Sequence, residues 1–307
     1  MAAIIEAVAI SVSRRPFWPK GALRLADDVV TECLERAHRR PPDLDILINA
    51  GVYREKNLAE PALASMIQED VGANPGHPPK EGSHGTFSFD VSNGGCGVLT
   101  ALELVDGFAA SKTIALGAVV ASDSDPGHVA GFPFPNAGGA VLLRAGAAGE
   151  GFLSFDSCTF PEFFGCFESV IAWHPAEHPG RFSAAGENVL EITCRDDYGV
   201  RAVECAGSAA GRFMAAHGLR AADIDLLVGS AFPADFLHEL GRRLEVPASR
   251  IAVPDERFLE AHTAGVVASF DAGVRSGRLF AARNVLIVTV GAGITVATAL
   301  YRHPGAH

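Results

Sequence analysis

In "FSFDVSNGGCGVLTALELVDGFAA" (Phe87–Ala110) a strand-like run gives way to a polar, glycine-rich turn and then a helix-like run, and Cys96 stands where the helix should begin. Unpaired N–H groups and the helix dipole favour a thiolate at such a place. The glycines allow backbone and substrate to approach closely. This is the setting a nucleophilic cysteine requires, and it equally suits a buried cysteine at a tight strand-to-helix turn. Arg242, Arg243 and Arg250 form a small basic cluster in an otherwise acidic chain. They read either as a solvated helix end favoured by the dipole or as a landing site for the phosphates of coenzyme A or a carrier's phosphopantetheine. His77, His84, His128, His174 and His178 are scattered in loop-like sequence with no ligand pairing, and none of the six cysteines sits in a CxxC pair, so no metal is expected. Neither "GGAVLL" nor "GAGITVA" makes a G-x-G-x-x-G that opens a helix, so a dinucleotide cofactor is not expected either.

The elements that must position these residues are written twice. "PPDLDILINAG" (Pro41–Gly51) and "AADIDLLVGSA" (Ala221–Ala231) share one turn–strand pattern, with Asp45 and Asp225 lying 180 positions apart. Each follows an amphipathic helix, Ala26–His38 and Arg201–Gly218. A second pair, Ala101–Ser122 and Ser269–Gly291, repeats a helix, a short polar link and a strand, and each leads through a glycine-rich turn into a further strand. Repetition of this kind predicts a duplicated α/β domain. Short apolar runs predict strands at Ala3–Val12, Leu44–Asn49, Thr86–Val91, Thr113–Ser122 and Ala140–Leu143. Their second-half counterparts are Val189–Cys194, Ile224–Gly229, Arg250–Val253, Asn284–Val290 and Thr295–Tyr301. Gly72–Gly85 and Asp123–Asn136 read as loops. The expected organisation is one half over 1–150, a crossover over 151–186 and a second half over 187–307. The two central helices, Cys96–Ala109 and Ala264–Ser276, are expected to be buried between the sheets.

Composition narrows the class. With 48% hydrophobic residues and 20% charged residues the chain is globular, and no apolar run reaches the length of a membrane span. A net charge of −11 argues against nucleic acid as partner. The N-terminal "MAAIIEAVAISVSRR" reads as a first strand rather than a signal peptide, which gives a cytoplasmic expectation. Cys33 and Cys205 fall in the matching helices and are expected to pack the core.

The segment "DVSNGGCGVLTALELV" resembles the active-site segment of ketoacyl-ACP synthase III, in the thiolase superfamily, which typically shows D-V-S-N-A-C-A-G-F-L-x-A-L. Further matches follow in order: "INAGVYREKNLAE" to T-G-I-Y-x-R, "SMIQEDVGANP" to L-I-Q-x-x-L-G-A, "FPNAGGAVLL" to F-G-D-G-A-G-A-V-V-L, and "FDAGVRSGRLFAARNVLIVTVGAGITVATALYR" to the family's C-terminal block. The resemblance spans nearly the whole chain. It implies a thiolase-like duplicated α/β/α/β/α five-layer fold and an acyltransferase using acyl-CoA or acyl carrier protein thioesters, with the thioester as substrate and no further cofactor.

The family works with Cys, His and Asn. Registering Asp90, Gly97, Ala101 and Leu102 puts Gly95 at the Cys position, with Cys96 one residue later, about a 100° turn away on a helix. Ser230 falls at the His position and His262 at the Asn position. Three readings follow: Cys96 turned into the site with His262 as base; direct acyl transfer with His262 alone; or a degenerate subunit or acyl-binding module that pairs with an active relative. The resemblance also implies a dimer, homomeric or with a related ketosynthase, formed by pairing the strand Thr86–Val91 across subunits, since it would otherwise be an exposed edge.

Overall fold

The computed structural model describes residues 2–13, 19–74, 85–127, 132–147, 149–176 and 185–305. In chain order the first half holds β1 (Ala3–Val12), α1 (Ala22–Arg36), β2 (Ile46–Asn49), α2 (Leu63–Asp70), β3 (Phe87–Asp90), α3 (Gly97–Ala110), β4 (Leu116–Asp123) and β5 (Ala137–Ala145). Next come β6 (Gly151–Thr159), β7 (Phe167–Pro175), β8 (Gly186–Cys194), α4 (Tyr198–Ala216), β9 (Leu226–Gly229), α5 (Phe236–Arg243), α6 (Gly265–Arg275), β10 (Val285–Gly291) and β11 (Thr295–Arg302).

The first sheet runs β1-β5-β4-β2-β3 and the second β6-β11-β10-β9. In each, the inner pair is parallel (β2 with β4, β9 with β10) and the next two pairings are antiparallel. The repeated strands β2 and β9 therefore hold equivalent places. A bridge from Leu227 to Ile251 marks the position that β3 fills in the first sheet.

The aspartates that betrayed the repeat do the same work twice. Asp45 Oδ2 accepts from the amides of Ala115 and Leu116 at 2.6 and 3.0 Å. Asp225 Oδ2 accepts from those of Arg283 and Asn284 at 3.0 and 3.1 Å. Each carboxylate thus locks the entry to the neighbouring strand. The preceding turns are closed alike, with Asp43 accepting the Arg40 amide and Asp223 the Arg220 amide.

Strands buried on both faces explain the unbroken apolar runs. Ile46 and Ile48 of β2 point to the middle, where α3 (Leu99, Leu102, Val105) and α6 (Val266, Val267, Phe270) lie against both sheets in one cluster. Leu47 points outward to α1 and α2. Likewise Leu226 and Val228 face the middle, and Leu227 faces α4 and α5. The layers are helix, sheet, helix, sheet, helix, as expected.

Three sequence expectations change. Residues 151–159, expected within the crossover, form β6, which pairs with β11 and takes the place that β1 holds in the first sheet. The second half thus begins at Gly151, 36 positions before the expected residue 187. Val189–Cys194, expected as that half's first strand, belongs instead to β8 and pairs with β7 in a separate hairpin. Of Arg250–Val253 only Ile251 bridges a strand. Most of the Gly72–Gly85 loop and the middle of the Asp123–Asn136 loop lie outside the described residues, as do His77, His84, His128 and His178. His174 is on β7, 2.7 Å from Glu191 of β8.

One packing feature carries a pH dependence. Asp27 on α1 is 9% exposed. Burial first, then repulsion from Asp70 of α2, raises its carboxyl to about 7. A folded-state value above the unfolded one means that the native state binds the proton more tightly, so stability falls as pH rises from about 4 to about 7. Asp27→Asn, which mimics the neutral acid, is expected to be more stable than the parent at pH 8, with the difference vanishing near pH 4. Urea denaturation at both pH values checks this; equal shifts at both would contradict it.

Candidate functional site

The turn after β3 is opened by Gly94 in the left-handed region (φ 48°) and continues as a short 3₁₀ turn, Gly94–Cys96, into α3. Gly95 sits against β10 of the other half: a Cβ added there would lie 2.3 Å from the Val290 carbonyl oxygen. Cys96 is fully buried, and its Sγ donates to the Thr295 carbonyl of β11 at 3.4 Å. Burial pushes the thiol up to about 11, against smaller opposing contributions from the Thr289 hydroxyl and the Ala297 backbone. Desolvation outweighs the helix dipole here. Of the two readings of the turn, these contacts fit the buried cysteine, with Cys96 packed in the central layer.

His262 lies in the loop before α6 and is almost fully buried. Its ring sits among Phe134, Tyr53, Phe167 and Phe232, with centroids 4.8, 5.1, 6.0 and 6.4 Å away. Behind it is Asp123, at the end of β4. Asp123 Oδ1 accepts from the amides of Val52 and Tyr53 at 3.0 and 2.9 Å. Its Oδ2 accepts from the Thr263 amide at 2.8 Å and the Thr263 hydroxyl at 2.6 Å. Burial would raise this carboxyl, but the neighbouring His262, Thr263 and the Tyr53 amide hold it below the ordinary value. His262 Nδ1 lies 3.7 Å from Asp123 Oδ2, beyond hydrogen-bond length, and has no other partner among the described residues.

Ser230 is also buried, but its Oγ accepts from the Val290 amide at 3.1 Å, and no hydrogen bond among the described residues joins it to His262. The three arginines do not converge. Arg242 is exposed and paired with Glu239 at 2.6 Å. The stem of Arg243 lies over Gly207 of α4. Arg250 Nη1 donates to the carbonyls of Ala222 and Ile224 at 2.8 Å each, which makes it a strap for the turn before β9. The expected phosphate cluster thus loses Arg250.

A cavity of about 470 Å³ opens where β2, β3 and β4 end, with Asn49, Asp90, Ser122 and Tyr53 on its walls and Ile171 and Leu190 contributed by the β7–β8 hairpin. Ligands favour the carboxyl ends of parallel strands, and Tyr53 is common to this cavity and to the His262 enclosure. Asp123 and the aromatic enclosure escaped the sequence reading. The signal available for them was the phenylalanine pair in "GFPFPN" and an acidic residue closing a strand.

Comparison with known proteins bears on this arrangement. Residues 214–303 match the family described as 3-oxoacyl-[acyl-carrier-protein (ACP)] synthase III C terminal. The chain is 23% identical over 308 residues to the beta-ketoacyl-[acyl-carrier-protein] synthase III of Alkalilimnicola ehrlichii, covering 98% of this chain and 90% of that protein. It is 27% identical over 289 residues to the corresponding protein of Granulibacter bethesdensis, covering 91% and 83%. Its fold superposes on the crystal structure of 3-oxoacyl-(acyl carrier protein) synthase III from Pseudomonas aeruginosa PAO1 with a TM-score of 0.76, at 19% identity and with 100% of both chains covered. The chain is similar to ketoacyl-ACP synthase III over most of its length and shares its thiolase-like fold. In this synthase III-like protein the turn before α3 carries no side chain at Gly95, Ser230 is hydrogen-bonded to β10, and His262 stands in the aromatic enclosure beside Tyr53.

No helix among the described residues is long and apolar enough to cross a membrane.

Proposed function

We propose that this protein is an acyl-thioester-dependent acyltransferase that uses acyl-CoA or acyl carrier protein donors, with His262 as general base and no covalent acyl-cysteine. The observation that carries this reading is the placement of His262 in an apolar enclosure, against a buried carboxylate and one aromatic wall away from the cavity. His262 takes the proton from an acceptor hydroxyl or amine. The acceptor attacks the thioester carbonyl, the C–S bond breaks, and the departing sulfur takes the proton back. Positioning of the two substrates supplies much of the rate. Arg242 and Arg243, on the last turn of α5, would meet the donor's phosphates.

Turnover of acyl-CoA donors with nucleophilic acceptors, followed by thiol release and intact mass, is the test. His262→Ala is expected to lower turnover by about 10² or more, the usual scale of general-base loss, while Cys96→Ala leaves it unchanged and no acyl adduct accumulates. Unchanged turnover in His262→Ala, or an adduct lost in Cys96→Ala, would overturn the mechanism.

The closed turn at Gly95 favours a second reading, a degenerate subunit acting beside a catalytically complete relative. Assembly is common to both readings. β3 is the edge of its sheet and Phe87 on it is 58% exposed, so pairing across this edge, with a second copy or with a relative, would bury what an isolated chain leaves open. Activity of the chain by itself supports the first reading; activity only on co-expression with such a relative supports the second.

A further inference from the structure

We propose that Asp123 is a positioning residue that holds His262 with its proton on Nδ1 and leaves Nε2 as the basic nitrogen. Asp123 is fully buried, and its four bonds to Val52, Tyr53 and Thr263 fix both carboxylate oxygens. It therefore cannot turn away from the imidazole. The edge of the ring it faces is Nδ1, which lies 3.7 Å from Asp123 Oδ2 and has no hydrogen-bond partner among the described residues. A closure of about 0.5 Å brings the pair within reach of a direct Nδ1–H to carboxylate bond. Catalytic hydrogen bonds are often long before substrate binds. The ring's aromatic neighbours are Phe134, Tyr53, Phe167 and Phe232, and no hydrogen bond to Nε2 is made among the described residues. A neutral imidazole protonated at Nδ1 presents a bare Nε2 lone pair, the state that a general base needs.

The kinetic arm of the test rests on the acyl-transfer reading; the spectroscopic arm does not. In protein labelled with ¹⁵N-histidine at pH 8, long-range ¹H–¹⁵N correlations are expected to show the His262 proton on Nδ1; a proton on Nε2 overturns the inference. Asp123→Asn is expected to remove that preference and to lower kcat about 10²-fold with KM changed less than about threefold. Thr263→Val removes one of the four donors that hold the carboxylate and leaves the carboxylate itself: it is expected to keep the tautomer and to lose less kcat than Asp123→Asn. An Asp123→Asn protein that retains the Nδ1–H tautomer, or equal losses of kcat in both variants, overturns the inference. If the unaltered protein transfers no acyl group to any acceptor, the functional reading fails and the tautomer still decides this one. If Asp123→Asn does not fold, the tautomer in the unaltered protein decides it.

Discussion

Asp123→Ala is expected to lose about 3–5 kcal/mol of stability, the scale on which removing one member of a buried charged network acts. The substitution leaves the amides of Val52, Tyr53 and Thr263 and the Thr263 hydroxyl without an acceptor. Each unpaired buried donor costs about 1–3 kcal/mol. Removal of a desolvated charge offsets part of that sum, which is why the expected total stays below it. The lost bonds are not local: they join the loop after β2 and the end of β4 in the first half to the loop before α6 in the second. Because the folded-state value of Asp123 lies below the ordinary one, its contribution is present above about pH 4 and disappears as pH falls through the folded value. The gap between Asp123→Ala and the unaltered protein should therefore narrow in acid. Urea denaturation at pH 7 and pH 3 measures both quantities. A loss under about 1 kcal/mol at pH 7 would show that the carboxylate does not tie the halves together.

Gly95→Cys is expected to restore the residue type of the family's nucleophile and yet to give a damaged, inactive protein. A Cβ at this position would sit 2.3 Å from the Val290 carbonyl oxygen, and that neighbour is backbone of β10 rather than the flexible end of a side chain. Overpacking against a strand costs about 3 kcal/mol, toward the upper end of its usual range. Gly94→Ala is the instructive neighbour. It has open space around it and a φ of 48°, so it should lose only about 1–2 kcal/mol through backbone strain. A Gly95→Cys protein with full stability that accepts an acyl group from acyl-CoA would reverse this expectation.

What the sequence could disclose depended on how far apart the causes lie. Ile46–Asn49 and Leu226–Gly229 were legible because burial on both faces needs only local apolar runs, and the aspartates that begin them stand in the same motif twice. Strand β6 was not, because "GFLSFDSCT" interleaves serine and aspartate with its aromatics and pairs with β11, some 140 positions away. Cys96 shows a different limit. The helix start was correctly located, but the direction of the side chain is set by the 3₁₀ turn and by β11, and the environment that keeps the thiol protonated is made by the other half of the chain. Asp123 reaches amides 70 and 140 positions away, so nothing beside it in sequence announces its role.

The central layer has a consequence for how this molecule responds to dilution. Helices α3 and α6, one from each half, share a single apolar cluster with the inner faces of both sheets, so each half closes its outer cluster by itself but covers its inner face only against the other. A half released alone would have to recruit another to cover that face, at a rate and extent set by its concentration. Here the segment between β5 and β6 is only a few residues long, which holds the two faces at the millimolar effective concentrations of a short tether. Their meeting is a unimolecular event. The melting of the central layer is thus independent of protein concentration, whereas any association across the β3 edge must weaken as the protein is diluted.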